Sequence, residues 1–196
     1  MNNRHRMTKN RRATLSAPLE PRVRRAYFDC RYGQLHVHYA LPAGGGFDEA
    51  TTLLCIAGAP GSGRFFGPLL LPLGRDRSVY APDLPGCGES DGAPGAYTPL
   101  ELAEALGDFL DSMHLSHFYV LAHDSGVAIA AALLQQRHAQ VGRVVLSPDT
   151  EAVRAVGRGL RQRLLVIDLR SADQRYESDA QTEHEAARLR DFLELA

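Results

Sequence analysis

The polar triplet His123-Asp124-Ser125 interrupts the stretch VLAHDSGVAIA, between an apolar run and a run of small residues. Spacing singles out Asp124 as the residue that can act as a nucleophile. A very sharp strand-to-helix turn can raise one side chain above a sheet, and the residues two before and two after its tip must then be small. Ala122 and Gly126 meet this requirement for Asp124. A serine at the tip would instead place a histidine and a valine at those positions.

Short apolar segments alternate with helical segments from residue 51 onward, and this alternation indicates the fold class. Continuous apolar strands are typical of a parallel sheet that is covered on both faces. We therefore expect an α/β fold with a mostly parallel, doubly wound sheet and helices on both faces. We also expect an N-terminal β-hairpin before this sheet, because two segments with alternating apolar and polar residues flank a turn there. The predicted strands are Ala26–Cys30, Gln34–Leu41, Thr51–Ile56, Ser78–Ala81, His117–Ala122, Gly142–Ser147 and Leu164–Leu169.

The helical segments carry recognisable start signals and apolar stripes. Thr98 and Glu101 form a capping box that starts one helix, and two prolines predict an irregular helix at Phe65–Leu73. In such sheets, ligands bind at the carboxyl ends of the strands, where the loops AGAPGSG, DLPGCGES and AHDSG are expected. The predicted helices are Phe65–Leu73, Thr98–Met113, Gly126–His138, Glu151–Leu160 and Thr182–Leu195.

Length and composition indicate one globular domain. The chain has 196 residues, 44% of them hydrophobic, and a net charge of -1. Residues 1–25 are predicted to be a basic, disordered tail and residues 26–196 a single domain. No nucleic-acid or membrane partner is expected, since the longest apolar runs fall short of the ~20 residues of a membrane span. Three widely spaced cysteines fit free thiols in a cytoplasmic protein. No metal or cofactor is expected, and no pattern indicates an oligomeric state.

Three segments in order, LLCIAGAPGSG, APDLPGCGESD and VLAHDSG, resemble the α/β-hydrolase superfamily over roughly residues 26–150. The middle segment, from Asp83 to Asp91, follows the family pattern D-L-P-G-x-G-x-S-D almost letter for letter. An Asp at the strand-to-helix turn resembles the epoxide hydrolases and the dehalogenases. The resemblance implies an α/β-hydrolase core whose substrate is a small ester or epoxide.

The implied mechanism is covalent. The Asp124 carboxylate would attack an electrophilic carbon, and a water activated by a histidine would cleave the resulting ester. The backbone N–H groups of Ser125 and Ala59 would form the oxyanion hole. Chain order nominates His184 as the histidine, the only one after residue 138. Asp173 is the predicted supporting acid, with Asp149 and Asp168 as alternatives.

Several departures from the family pattern leave other functions open. Ser125 replaces the usual Trp, Ala57-Gly58 replaces His-Gly, and neither a cap domain nor a final Gly-His loop is recognisable. A degenerate scaffold that binds a ligand or partner is therefore an alternative to an enzyme. Phosphate-loop spacing at Gly58–Gly63 gives a second alternative, nucleotide binding, although Arg64-Phe65 follows where Lys and Ser or Thr are required.

The other histidines have simpler interpretations. His36 and His38 share one face of a strand and are expected on the surface rather than at a metal. In this family the residue before the nucleophile is often a histidine without a proton-transfer role, which applies to His123. His117 begins a strand and shows no sign of a partner. His184 itself lies near the start of a polar helix and is expected to face solvent.

Overall fold

A computed structural model describes residues 22–43, 50–147, 164–167, 169 and 179–194. Within these ranges the chain forms seven strands, four α-helices and one short 3-10 helix. The strands are β1 Val23–Cys30, β2 Gly33–Ala40, β3 Thr52–Ile56, β4 Val79–Pro82, β5 Phe118–Ala122, β6 Val141–Leu146 and β7 Leu164–Val166. The helices are the 3-10 helix Gly63–Phe66, α1 Gly67–Leu73, α2 Pro99–Ser112, α3 Gly126–Arg137 and α4 Asp179–Glu194.

All seven strands belong to one sheet, in the order β1-β2-β4-β3-β5-β6-β7. Strands β4, β3, β5, β6 and β7 run parallel to one another. Strands β1 and β2 form an antiparallel hairpin, and β2 also pairs antiparallel with β4, with Val37 opposite Pro82. The mostly parallel sheet and the N-terminal hairpin are therefore confirmed.

Helices cover both faces of the sheet, as predicted. Alternate residues of a strand point to opposite faces, and in β3 Leu54 and Cys55 belong to two separate buried clusters. One cluster packs α2 and α3 against the sheet, and the other packs α1 and α4 against the opposite face. The sheet therefore has a helical layer on each side. The loops that follow β3, β4 and β5 lie at the edge of the sheet where the parallel strands have their carboxyl ends.

The helix boundaries follow from the local sequence. The Glu101 backbone N–H donates to the Thr98 hydroxyl at 3.3 Å, and the Thr98 N–H donates to the Glu101 carboxylate at 2.7 Å, which completes the predicted capping box. The predicted irregular helix consists of the 3-10 turn followed by α1, and Pro72 lies inside α1. Strand β1 begins at Val23, three residues earlier than the sequence suggests. The predicted helix at 151–160 lies outside the described residues.

The three cysteines are free thiols at different depths. Cys55 lies in β3 at the centre of the sheet and is fully buried, Cys87 is 7% exposed, and Cys30 is half-buried. Burial raises the pKa of all three thiols. Among the helices that the structure describes, none is both long enough and apolar enough to cross a membrane.

Candidate active site

The turn between β5 and α3 is sharp, and Asp124 lies at its tip. Asp124 has a φ of 53°, in the left-handed region that L-residues other than Asn and Asp rarely enter. Val127 N–H donates to the Asp124 carbonyl at 3.0 Å, so the first turn of α3 begins directly after the bend. The Asp124 side chain is exposed. The bend therefore presents one carboxylate to solvent at the carboxyl end of a central strand.

Gly126 allows the chain to pass close to the neighbouring strand. A Cβ atom at Gly126 would lie 2.5 Å from the Ile56 carbonyl oxygen and 2.9 Å from the Ala57 carbonyl oxygen. Both are backbone atoms, so only glycine fits without a shift of the chain. On the other side of the tip, Ala122 is completely buried. The small residues two before and two after Asp124 are thus explained by the steric requirement that their spacing predicts.

The loop after β3 faces this turn. A Cβ atom at Gly58 would lie 2.6 Å from the Ser125 hydroxyl, 2.9 Å from the Ser125 nitrogen and 3.1 Å from Asp124 Oδ2. The Ser125 hydroxyl donates to the Ala59 carbonyl at 3.2 Å, which joins the turn to the loop. Among the described residues, the backbone N–H groups of Ala59 and Ser125 have no hydrogen-bond partner. These are the two N–H groups that the family resemblance assigns to the oxyanion hole.

An aromatic pair flanks the turn. The rings of Phe65 and His123 stack with centroids 4.2 Å apart and an interplanar angle of 28°. His123 is half-buried and directly precedes Asp124. Sequence reasoning did not find Phe65, because nothing in the residue spacing links the 3-10 helix to the end of β5.

The predicted histidine, His184, has no described contact with Asp124. His184 is exposed on α4, the helix that packs with α1 on one face of the sheet. Within the described ranges no hydrogen bond, ion pair or ring contact links His184 with Asp124. Asp173, Asp149 and Asp168 lie outside the described residues. The roles assigned to His184 and Asp173 therefore stay predictions.

Asp83, the first residue of the DLPGCGESD segment, is buried and accepts hydrogen bonds from the loop after β3, which carries Ala59, and from the loop after β4. Oδ1 accepts hydrogen bonds from the Ser62 hydroxyl and from the Gly63 N–H at 2.8 Å. Oδ2 accepts from the Glu89 N–H at 2.9 Å and contacts His36 Nδ1 at 3.0 Å. Asp83 therefore holds the loop after β3 against the loop after β4.

The hydrogen bonds decide the charge of this carboxyl. Burial opposes ionisation of Asp83, but the bonds from Ser62, Glu89, His36 and Gly63 outweigh it and lower its pKa below the usual value. The Gly63 N–H, which a phosphate loop would offer to a nucleotide, already donates to this carboxylate. The contact therefore gives no support to the nucleotide-binding alternative.

The expectation that His36 and His38 lie on the surface is wrong. His36 is 1% exposed and His38 is 5% exposed. The physical reason is the strand order: β2 lies between β1 and β4 rather than at an edge, and the loop after β4 covers it. The His36 N–H donates to the Ser90 hydroxyl at 2.8 Å, which fixes that cover. Burial lowers the pKa of His38. His117 is exposed at the start of β5.

Comparisons with known proteins agree with this architecture. The model of the alpha/beta hydrolase family matches residues 53–195. A protein of Yersinia enterocolitica serotype O:8 / biotype 1B, named "Putative carbamate hydrolase RutD", is 36% identical over 97 residues. The match covers 49% of this chain and 35% of that protein, so the chain spans about a third of the length of this curated relative.

Solved structures show the same fold over part of their length. The wild-type Cfl2 protein of Burkholderia cenocepacia has a TM-score of 0.57 and 26% identity, over 64% of this chain and 41% of that one. An epoxide hydrolase of Vigna radiata has a TM-score of 0.55 and 21% identity, over 69% of this chain and 46% of that one. The Cif epoxide hydrolase of Acinetobacter nosocomialis has a TM-score of 0.56 and 18% identity, over 65% and 38%. The family match over more than half of the residues, together with this fold, shows that the chain belongs to the alpha/beta hydrolase family.

Proposed function

We propose that the chain hydrolyses a small epoxide or ester through nucleophilic attack by the Asp124 carboxylate. The observation that carries this proposal is the exposed Asp124 side chain at a left-handed φ of 53°. Such a conformation costs on the order of 1–3 kcal/mol and persists only where the surrounding structure enforces it, which is common at functional sites. Here Gly126 and the backbone of residues 56–57 enforce it.

The first step alkylates the carboxylate. One Asp124 oxygen donates an electron pair to an epoxide carbon, the ring C–O bond breaks, and the ring oxygen leaves as an alkoxide that takes a proton from water. The product is an ester between the substrate and Asp124. With an ester as substrate, the same oxygen attacks the acyl carbon and expels an alkoxide, which leaves a mixed anhydride on Asp124.

The second step hydrolyses the covalent intermediate. Water adds to Cγ of Asp124 and loses a proton. This proton neutralises the hydroxide that formed when the alkoxide was protonated in the first step, so one water is consumed overall. Collapse of the tetrahedral intermediate releases the product and restores the carboxylate. Negative charge develops on a carboxyl oxygen in this step, and the unpartnered N–H groups of Ser125 and Ala59 are suited to stabilise it.

The orientation of the Asp124 carboxylate suggests different roles for its two oxygens. Asp124 Oδ2 lies on the side of Gly58, where the missing side chain leaves room beside the Ser125 nitrogen. We assign Oδ2 to the oxyanion hole, which leaves Oδ1 for the attack. Water activation is assigned to His184, with Asp173 as its supporting acid, on chain order and family resemblance alone.

Labelling with heavy-oxygen water tests the proposal. The protein is incubated with a small aryl epoxide in H₂¹⁸O, digested, and the peptide that contains residue 124 is analysed by mass spectrometry. We expect a peptide carrying either the epoxide adduct or ¹⁸O in the Asp124 carboxyl, because water attacks Cγ rather than the substrate carbon. An activated aryl ester is tested in parallel as the second substrate class.

Two variants make the result specific. Asp124→Asn should abolish both the adduct and the label, whereas the matched control Asp191→Asn, on the exposed side of α4, should retain them. If wild-type protein shows neither adduct nor label with either substrate class, the covalent mechanism is refuted. The alternative of a scaffold that only binds a ligand or partner would then stand.

A further inference from the structure

Three metal-ligating side chains meet inside the fold, at a place the hydrolytic mechanism does not use. His36 and His38 project from the same face of β2, two residues apart. Asp83 follows β4, the strand beside β2, and its N–H donates to the His36 carbonyl at 2.8 Å. One ligand atom from each of the three lies within 4.8 Å of the others. Strand pairing, not sequence proximity, creates this cluster.

His38 has an unsatisfied nitrogen that faces the cluster. Its Nε2 is buried and has no hydrogen-bond partner among the described residues, while the whole residue is 5% exposed. The Asp83 Oδ1 atom lies 4.0 Å from this nitrogen. A buried polar atom without a partner destabilises the fold, so the site as it stands is incomplete. A ligand that accepts an electron pair from Nε2 would remove this cost.

The distances suit a small tetrahedral cation. Bonds of about 2.0 Å to nitrogen and oxygen place tetrahedral ligand atoms about 3.3 Å apart. His36 Nδ1 and Asp83 Oδ2 are 3.0 Å apart, which is close to this ligand-to-ligand distance. His38 Nε2 lies 4.0 Å from the other oxygen of Asp83, Oδ1, so binding of one ion by all three residues requires the His38 side chain to move towards Asp83.

The surroundings supply the outer contacts of a metal site. A metal-binding imidazole usually directs its other nitrogen at a carboxylate or a carbonyl. His36 Nε2 lies 3.9 Å from a Glu89 carboxylate oxygen. Asp83 is held in place by the N–H groups of Gly63 and Glu89. Two imidazoles and one carboxylate favour zinc-class ions over Mg²⁺ or Ca²⁺, which prefer oxygen ligands.

We propose that His36, His38 and Asp83 bind one divalent transition-metal ion of the zinc class. His36 Nδ1 exchanges its contact with Asp83 for a bond to the metal. The proton that Nδ1 carries in that contact moves to Nε2, beside Glu89, or is released to solvent. Because Asp83 also binds Ser62 and Gly63, the ion is placed to stiffen the loop that carries Ala59. It would be a structural ion, separate from the Asp124 carboxylate.

Metal titration of the whole chain tests the proposal. After chelator treatment, the protein is titrated with Zn²⁺ by calorimetry, and with Co²⁺ while its visible d–d absorption is recorded. We expect one equivalent of either ion, the absorption of a tetrahedral Co²⁺ centre, and a Tm that rises with Zn²⁺ but not with equal Mg²⁺. Absence of stoichiometric binding would overturn the proposal.

Variants locate the ion. His38→Gln removes the unpartnered ligand and should weaken Zn²⁺ binding at least 100-fold. The matched control His138→Gln, at an exposed position after α3, should leave the affinity unchanged. Asp124→Asn should also bind normally, which separates this site from the proposed reaction. Equal affinity of wild type and a folded His38→Gln variant would show that the ion binds elsewhere.

A crystal of the wild-type protein soaked in Zn²⁺ gives a test that needs no variant. An anomalous peak at bonding distance from His38 Nε2, about 2.0–2.1 Å, supports the proposal even if His38→Gln fails to fold. A zinc peak only at surface side chains refutes it.

Discussion

The Cα atom of Gly58 faces the backbone nitrogen of Ser125 so closely that a methyl group on it would lie 2.9 Å from that nitrogen. The loop after β3 and the turn after β5 thus meet across a gap that only glycine leaves open. The gap also borders Asp124 Oδ2. This relationship joins a steric requirement of the fold to the chemistry proposed for the carboxylate.

The first prediction concerns that gap. Gly58→Ala should slow the breakdown of the covalent Asp124 intermediate by about 100-fold, because a methyl group beside Ser125 N displaces the oxyanion from one of its donors. Alkylation itself should change less, since Oδ1, the oxygen assigned to the attack, is not among the three atoms nearest the added methyl group. Quenched time points analysed by mass spectrometry separate the two rates. Loss of alkylation with unchanged breakdown would contradict the assignment of Oδ2.

The backbone at Asp124 can be tested by stability alone. Left-handed geometry costs an alanine about 1–2 kcal/mol and costs glycine almost nothing. Asp124→Gly should therefore be more stable than Asp124→Ala by about 1 kcal/mol in urea unfolding. Both variants remove the carboxylate, so their comparison isolates the backbone. Equal stabilities would mean that the turn relaxes when its side chain is truncated.

Gly126 gives a sharper steric test. Gly126→Ala should destabilise the fold by more than about 2 kcal/mol, because its Cβ would lie 2.5 Å from a backbone oxygen that cannot move independently. Gln135→Ala is the control, at an exposed position of the same helix, α3. Because alanine favours a helix interior at least as well as glutamine, that control should be neutral or slightly stabilising. Denaturant unfolding of both variants gives the comparison.

An ion pair between the hairpin and α2 predicts a pH dependence. Arg31 Nε and a terminal nitrogen donate to the two oxygens of Asp108, each at 2.9 Å. The bond to Arg31 lowers the pKa of Asp108. The ion pair therefore stabilises the folded protein at pH values above the Asp pKa of the unfolded chain, near 3.9. This stability is lost as the pH falls through the lower pKa that Asp108 has in the folded protein.

Asp108→Asn should therefore destabilise the protein at neutral pH and lose its effect in acid. The size is at most about 1 kcal/mol, because both side chains are partly exposed. Urea midpoints of wild type and variant at pH 7 and pH 3 give the measurement. The control Asp191→Asn should show no such convergence. A difference that grows towards low pH would contradict a lowered pKa for Asp108 in the folded protein.

The bend at Asp124 was predictable because the small residues that it requires are close to it in the sequence. Two small residues at fixed spacing around a polar tip are visible in the sequence, and the observed clash distance at Gly126 explains them. The helix stripes were predictable for the same reason: Ala186 and Leu189 of α4 recur at helical spacing, and both are completely buried.

The environment of His36 could not be predicted in this way. Alternation along β2 shows which residues share a face, but not whether that face is covered. The His36 ring contacts Asp83, which lies 47 positions away along the chain. The contact between Ser62 and Asp83 likewise depends on the neighbouring positions of β3 and β4 in the sheet. Chain order alone does not specify that arrangement.

The graded depth of the three thiols has a practical consequence. Cys30 lies next to the hairpin turn, Cys87 within the loop after β4, and Cys55 in the central strand β3. A thiol-specific reagent added in excess will modify them in the order in which water reaches each layer. Modification of Cys55 requires the sheet to come apart, so its rate reports complete unfolding without an engineered cysteine.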